Sequence, residues 1–230
     1  MQLIRGFGLF VIISIGVSAC FNPPEFPVTP QIDFESIRYK EFGTGTDANA
    51  DSLILIVTFK DGDGDLGLDV TEIGKPYNNK FYYVFPDGKF INYKTKRTVP
   101  GYDTLPAYIK PYNCTNWEII KENNIVKDTL YFQLNPNYNN ITIDYLVKNP
   151  NGTFTEFDWR NEFCTTFDGR FPILFKDKSG VPLEGKIRYG MGSSGFKALF
   201  SIKTLKLRIQ IKDRALHKSN TIETPEFTLQ

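Results

Sequence analysis

Residues 204–212 run Thr204-Leu205-Lys206-Leu207-Arg208-Ile209-Gln210-Ile211-Lys212, and apolar and polar side chains alternate along the whole stretch. Successive side chains of a β-strand point to opposite faces of its sheet, so the leucines and isoleucines would share one face and the polar side chains the other. The pattern predicts a strand with one buried and one solvated face, which antiparallel sheets allow.

A second stretch, Leu53-Ile54-Leu55-Ile56-Val57-Thr58-Phe59, is apolar at nearly every position. A strand of this composition is typical of the centre of a sheet that is covered on both faces. We therefore expect another part of the chain to pack over the outer face of this sheet.

The chain from residue 31 onward has no stretch with the 3.6-residue periodicity of a helix, but it has many β-branched and aromatic runs between Gly, Pro, Asn and Asp. Further strands are predicted at residues 32–39, 81–85, 90–93, 129–134, 141–148, 153–159, 171–175, 186–189, 196–202 and 226–229. Short strands at this density are typical of an antiparallel β-sandwich, so the predicted fold class is all-β.

The N-terminus has the features of an export signal. Residues 1–19 carry one charge, Arg5, ahead of an apolar run that is shorter than the about 20 residues needed to span a bilayer. The following Val17-Ser18-Ala19-Cys20 resembles the bacterial lipoprotein signal, and this resemblance implies cleavage before Cys20 and acylation of that cysteine. The alternative is a plain secretory signal. Residues 20–30 contain four prolines and predict an extended tether to a single domain at residues 31–230.

Composition excludes several classes of function. The chain has 27 Lys and Arg against 26 Asp and Glu and no basic tract, so we expect no nucleic-acid partner. Its single histidine, His217, rules out a multi-histidine zinc site and leaves one candidate base for a Ser/His/Asp triad. Without a basic patch, membrane attachment would depend on the N-terminal lipid.

Two cysteines remain after Cys20, and both lie in the predicted exported domain. Disulfides persist outside the cytosol, so the expected arrangement is one bridge between Cys114 and Cys164. The alternative is a pair of buried free thiols.

The strongest chemical signal is an acidic loop directly after the second stretch. Its acidic residues occupy the first, third, fifth, ninth and twelfth places of a twelve-residue window, and a glycine occupies the seventh; the predicted ligands are Asp61, Asp63, Asp65, Gly67, Asp69 and Glu72. These are the ligand places of an EF-hand loop, in which alternate carboxylates and one carbonyl surround Ca²⁺. The sixth place is Leu66 instead of glycine and a strand precedes the loop, so a helix–loop–helix EF-hand is excluded. The loop predicts a Ca²⁺ cofactor; the alternative is a strand-to-strand turn that binds no metal.

Weaker signals point to glycans or to catalysis. Tyrosines and phenylalanines cluster between residues 81 and 112 and could form a platform for sugar rings, although such residues more often pack on a sheet. Glu156, Asp158, Glu162 and Asp168 could include a glycosidase pair, and His217 falls in a predicted loop between the last two strands.

Two segments resemble known proteins. Residues 207–220, with the loop Asp213-Arg214-Ala215-Leu216-His217-Lys218-Ser219-Asn220, and then residues 224–229 resemble the last two strands of an immunoglobulin-like module. The Asp-Gly-Asp-Gly-Asp-Leu-Gly loop is similar to a pattern in uncharacterised lipoproteins of the Bacteroidota. The resemblance implies an immunoglobulin-like sandwich with an inserted β-rich elaboration at about residues 75–175. We expect a lipid-anchored outer-membrane protein that binds an unknown protein or glycan or has a structural role and is not an enzyme; the alternative is a glycan-binding or glycan- or peptide-hydrolysing lipoprotein.

Overall fold

The computed structural model describes residues 25–40, 51–92, 95, 117–175, 180–193 and 195–229. In this part of the chain the strands and helices follow in the order β1 (Gln31–Lys40), β2 (Asp51–Asp61), β3 (Lys80–Tyr82), β4 (Trp117–Glu122), β5 (Ile125–Leu134), β6 (Ile141–Lys148), β7 (Phe154–Glu156), α1 (Trp159–Phe163), β8 (Leu183–Ser193), α2 (Phe196–Phe200), β9 (Leu205–Ile211) and β10 (Ile222–Glu223). Strands dominate and the strand pairs are antiparallel, which confirms the all-β prediction.

Two sheets form the main body of the domain. The first has the strand order β1-β2-β8, and the second has the order β10-β9-β6-β7. Their inward side chains belong to one hydrophobic core, to which β2, β6, β8 and β9 all contribute. Strands that are distant in sequence therefore meet at this core.

The alternating stretch forms β9 with the predicted orientation. Leu205, Leu207, Ile209 and Ile211 are fully buried, and the residues between them are partly exposed. The apolar stretch forms most of β2, which lies between β1 and β8 as predicted. Its Leu53, Leu55, Val57 and Phe59 face the core, but Ile54 and Ile56 on the other face are only half-buried. The outer face of β2 is therefore partly covered, and the expectation that another part of the chain packs over it stays a prediction.

A third sheet stands apart from the two-sheet core. It has the strand order β3-β5-β4, and it lies within the range predicted as an insertion. The same range also contains β6, which pairs with β9 along its length, and β7, which pairs with β6. Residues 141–156 thus belong to the second core sheet, and the separate elaboration is made by β3 to β5.

Four predicted strands are replaced by other structure or reduced to isolated bridges. In the predicted strand at residues 90–93, Phe90 and Asn92 make one bridge each, and Tyr93 lies outside the described residues. Residues 196–202 contain α2, whose Phe196 and Phe200 are fully buried and stack against Tyr145. Residues 171–175 form no strand, and residues 226–229 make a single bridge between Phe227 and Leu205. Residues four apart on a helix share one face, so Phe196 and Phe200 can both reach the core from a helix. The aromatic composition of this segment therefore does not distinguish a strand from a helix.

Several predictions fall outside the described residues. These are the signal peptide at residues 1–19, the lipidated Cys20, the first part of the tether and Cys114. Cys164, the other cysteine of the predicted disulfide, follows the last residue of α1 and has a left-handed backbone conformation. Within the described ranges, no helix has the length and apolar character required to cross a membrane.

Candidate metal centre

Three carboxylates converge where β2 ends. Asp61 is the last residue of the strand, and Asp63 and Asp65 follow it at alternate positions of the turn. One carboxylate oxygen from each residue lies within 4.8 Å of the others. Gly64 has φ 65°, a left-handed conformation that glycine adopts without strain, and this lets the chain turn between the second and third carboxylates.

Asp61 is buried, Asp63 and Asp65 are half-buried, and one oxygen of each carboxylate lacks a hydrogen-bonding partner. Asp61 is 0% exposed, and the Oδ1 atoms of Asp61, Asp63 and Asp65 are all buried without a hydrogen bond. The other Asp61 oxygen accepts the Asp65 backbone N–H at 3.1 Å, and Asp65 Oδ2 accepts the Ala215 N–H at 3.0 Å. A buried anion without compensating contacts is costly, so the three Oδ1 atoms are the feature of this site that a bound cation would explain.

Burial and mutual repulsion disfavour the presence of three negative charges together in this loop. Burial, followed by repulsion from the neighbouring carboxylates Asp63, Asp65 and Asp213, raises the pKa of Asp61 to about 7. Burial also raises the pKa of Asp65, with Asp213 and Asp63 as further causes. Desolvation and like charges both favour the protonated carboxyl, whereas a cation at the centre would favour the ionised form.

Asp213 is a further buried acidic residue near this cluster, and the twelve-residue pattern did not include it. It is 1% exposed and follows β9, about 150 residues from the loop in sequence. Its oxygens accept the His217 backbone N–H at 2.7 Å and contact His217 Nδ1 at 2.8 Å. This contact raises the pKa of His217, whose ring is partly exposed. In the sequence, the loop from Asp213 to Asn220 is notable only for its resemblance to an immunoglobulin-like module. That resemblance does not point to a role for Asp213 beside the acidic loop.

The last predicted ligands have other partners. Glu72 forms a bidentate pair with Arg214, with one N–O distance of 2.7 Å, and it accepts the Asp69 N–H at 2.8 Å. The hydrogen bonds from Arg214 lower the pKa of Glu72. Asp69 accepts the N–H and hydroxyl of Thr71 through one oxygen. The structure therefore brings Asp61, Asp63 and Asp65 together and holds Asp69 and Glu72 in the following turn.

The chain after the three carboxylates is held by its neighbours. Gly67 is buried at φ 107°, with the backbone of Pro172 and Ile173 against it, and its carbonyl lies 3.5 Å from an Arg214 nitrogen. Arg170 donates to the Asp69, Glu72 and Tyr77 carbonyls at 3.1, 2.9 and 2.8 Å. These contacts fix the second half of the predicted window independently of a metal.

The donor set fits a hard cation. All three side chains present carboxylate oxygens, the ligands preferred by Ca²⁺ and Mg²⁺, and the cluster contains no thiolate. Ca²⁺ takes six to eight oxygens in flexible geometry, so carbonyls and waters would complete its shell. Mg²⁺ requires a stricter octahedron and keeps more of its water, which suits a site of three converging carboxylates less well.

The weaker candidates have structural contacts. Tyr82 packs edge-on against Phe90 and Phe132, and Tyr83 against Tyr131, as expected of residues on a sheet. Tyr93, Tyr102, Tyr108 and Tyr112 lie outside the described residues. Asp158 caps the N-terminus of α1, and Glu156 lies 3.7 Å from Arg208.

Two cavities of about 450 and 460 Å³ lie beside α1 and share Thr166 and Asp168. Asp168 is the one acidic residue among the described residues that line them. Its oxygens accept the Ile143 N–H at 2.9 Å and an Arg160 N–H at 2.7 Å. A glycosidase needs two carboxyl groups across its substrate, and the described lining of neither cavity contains such a pair.

No family model, curated protein or solved structure matches this chain. The functional interpretation therefore depends on the sequence and on the geometry of the acidic loop.

Proposed function

We propose that this protein is a calcium-stabilised, non-catalytic binding or structural module, held in a bacterial cell envelope by a lipid on Cys20. The observation that carries the calcium assignment is the set of three enclosed Oδ1 atoms on Asp61, Asp63 and Asp65, each without a hydrogen-bonding partner. A calcium ion would supply that partner for all three.

Charge supports calcium over a metal-free turn. Ordinary exposed Asp-Gly turns keep their carboxylates apart in water, but these three converge within 4.8 Å and Asp61 is inaccessible to solvent. A divalent cation would offset both their repulsion and their desolvation. The absence of Asp69 and Glu72 from the cluster changes the predicted EF-hand-like ligand set to a three-carboxylate set.

The lipid anchor is proposed from the N-terminal sequence. An apolar run of 11 residues at positions 7–17, then Ser18-Ala19-Cys20, combines a short export signal with a cysteine at the cleavage position. Two or three acyl chains on one residue suffice for stable anchoring. The proposed location is the outer membrane of a Gram-negative bacterium, with the tether between the lipid and β1.

An immunoglobulin-like sandwich is the proposed class for the main body. Its support is a core shared by one sheet of three strands and one of four, with β9 and β10 adjacent as in the terminal strands of such modules. The proposed role as a binding or structural module, with a protein or glycan partner, is supported by the structural contacts of the acidic residues that could have formed a catalytic pair.

The calcium assignment is tested by isothermal titration of the metal-free full chain in detergent with CaCl₂, beside its thermal midpoint with calcium and with chelator. Asp61→Asn/Asp63→Asn should abolish calcium binding and the shift of the midpoint, since it removes two ligand charges. Asp69→Asn is the matched control and should retain both. At about 100 times its dissociation constant, calcium adds roughly 2.7 kcal/mol to the free energy of unfolding. Equal binding by the double variant and the parent would reject this site.

The lipid anchor has a separate test. Expression of the full chain in a bacterium with lipoprotein processing should give an acylated product in the membrane fraction, and Cys20→Ser should give neither acyl mass nor stable membrane association. Membrane association and mass that are unchanged by Cys20→Ser would reject the anchor.

A further inference from the structure

The segment that leads from the tether into β1 packs directly on the acidic loop. The Gly62 N–H, between Asp61 and Asp63, donates to the Pro27 carbonyl at 2.9 Å. An added Cβ on Gly62 would overlap the Phe26 carbonyl oxygen and would lie 2.8 Å from Pro27 backbone atoms. The Lys60 ammonium lies 5.5 Å from the centre of the Phe26 ring. The end of the tether therefore contacts the chain between two proposed metal ligands.

The next residues are held in a different way. Ile32 donates its N–H to Asn220 at 2.8 Å and accepts from the same side chain at 2.8 Å, and its own side chain lies in the core. The chain from β1 onward is thus fixed by the sheet and the core. Residues 25–29 before it are mostly exposed, and within the described residues their backbone is tied to the domain by the hydrogen bond from the Gly62 N–H to the Pro27 carbonyl.

From this arrangement we propose that the cation regulates the tether: an occupied site holds residues 26 and 27 against Gly62, and an unoccupied site releases them. The inference depends on the proposed cation site and the proposed lipid anchor. The three carboxylates repel one another without a cation, and Asp61 and Asp63 flank the amide that holds Pro27. Movement of these carboxylates would turn the Gly62 N–H away from the Pro27 carbonyl.

Release changes the distance that the domain can move from the membrane. When residues 26 and 27 are docked, the free tether ends near residue 25; when they are released, it extends to Pro30, which is buried. Five more residues of an extended, proline-containing chain add about 15 Å of reach at about 3 Å per residue. Calcium would hold the domain close to the bilayer, and its loss would let the domain reach further out.

The test measures proteolysis of the docked segment in the full chain in detergent, with calcium and with chelator. A glutamate-specific protease is used, and cleavage at Glu25–Phe26 is followed by mass spectrometry. The exposed Glu122–Asn123 bond, in the turn between β4 and β5, is the internal control. Calcium should slow cleavage at Glu25 at least about tenfold and leave cleavage at Glu122 unchanged, because protease access follows the population of the released segment.

Two variants separate the cation site from the docking. Gly62→Ala should be cleaved quickly at Glu25 with or without calcium and should still bind calcium by calorimetry, since it clashes with the tether and retains all three carboxylates. Asp61→Asn/Asp63→Asn should lose both effects. A calcium-dependent thermal midpoint with a calcium-independent rate at Glu25 would overturn the tether proposal and leave the cation site standing. If neither the midpoint nor the rate responds to calcium, the cation site itself is rejected.

Discussion

Replacing Asp61 by Asn should stabilise the metal-free protein near neutral pH, although it removes a proposed metal ligand. Asp61 is 0% exposed, and burial followed by repulsion from Asp63, Asp65 and Asp213 raises its pKa from 3.8 to about 7. Asparagine keeps an oxygen that can accept the Asp65 N–H, and it has no charge to desolvate.

The magnitude follows from proton linkage. The pKa is raised on folding, so the folded state binds the proton more tightly than the unfolded state. The corresponding stabilisation is fully present below about pH 4 and is lost as the pH rises to about 7. A shift of about three pKa units corresponds to about 4 kcal/mol at 1.36 kcal/mol per unit, of which roughly 2–3 kcal/mol is lost between about pH 5 and pH 8. Asparagine does not titrate, so the free energy of unfolding of Asp61→Asn should not fall by this amount over the same pH range.

The assay is urea denaturation of the full chain in detergent, after removal of metal, at about pH 5 and pH 8. The free energy of unfolding of Asp61→Asn relative to the parent should rise by roughly 2–3 kcal/mol between these pH values. Asp33→Asn, at an exposed position in β1, is the control and should follow the parent. With saturating calcium the order should reverse, because only the parent keeps all three carboxylates. Parallel profiles for the parent and Asp61→Asn without metal would refute the reasoning.

Three other predictions concern the frame around the loop. Gly67→Ala should lower the free energy of unfolding by more than about 2 kcal/mol, since it combines a left-handed φ with overlap on Pro172. The control is Gly88→Ala, at φ 81° in open space, which should cost about 1 kcal/mol. Urea denaturation of the two variants measures the difference, and equal losses would contradict the prediction. Arg170→Met should cost about 3 kcal/mol or more in the same assay, because it removes the donor to the Glu72 and Tyr77 carbonyls and one of the donors to the Asp69 carbonyl, which also accepts the Glu72 N–H. Arg170→Lys should recover only part of this loss, since one ammonium cannot reproduce the guanidinium geometry; full recovery by lysine would argue against this role. Cys114 and Cys164 should be unreactive toward a thiol reagent in the unfolded, unreduced chain and reactive after reduction; reaction before reduction would exclude the bridge.

The spacing of acidic residues in the loop predicted part of the carboxylate cluster. Alternation in residues 61–65 placed Asp61, Asp63 and Asp65 correctly, because a turn that directly follows a strand keeps nearby side chains together. Glu72 lies outside this cluster, since Arg214, 142 residues away, forms a two-point contact with that carboxylate. The pattern also missed Asp213, which raises the pKa of Asp61 from nearby because β9 ends near the end of β2. Spacing along the chain carries no information about such distant partners.

The sequence by itself determined the all-β class, the central position of β2 and the inward face of β9. Each follows from the two-residue period of a strand and from the cost of leaving apolar side chains in water. Tertiary structure decided which strands pair, that Phe196 and Phe200 reach the core from a helix, and which carboxylates share one enclosure. It also decided that the backbone of Pro27 rests on Gly62. These features depend on contacts between segments distant in sequence, where packing and desolvation of the whole core outweigh local preference.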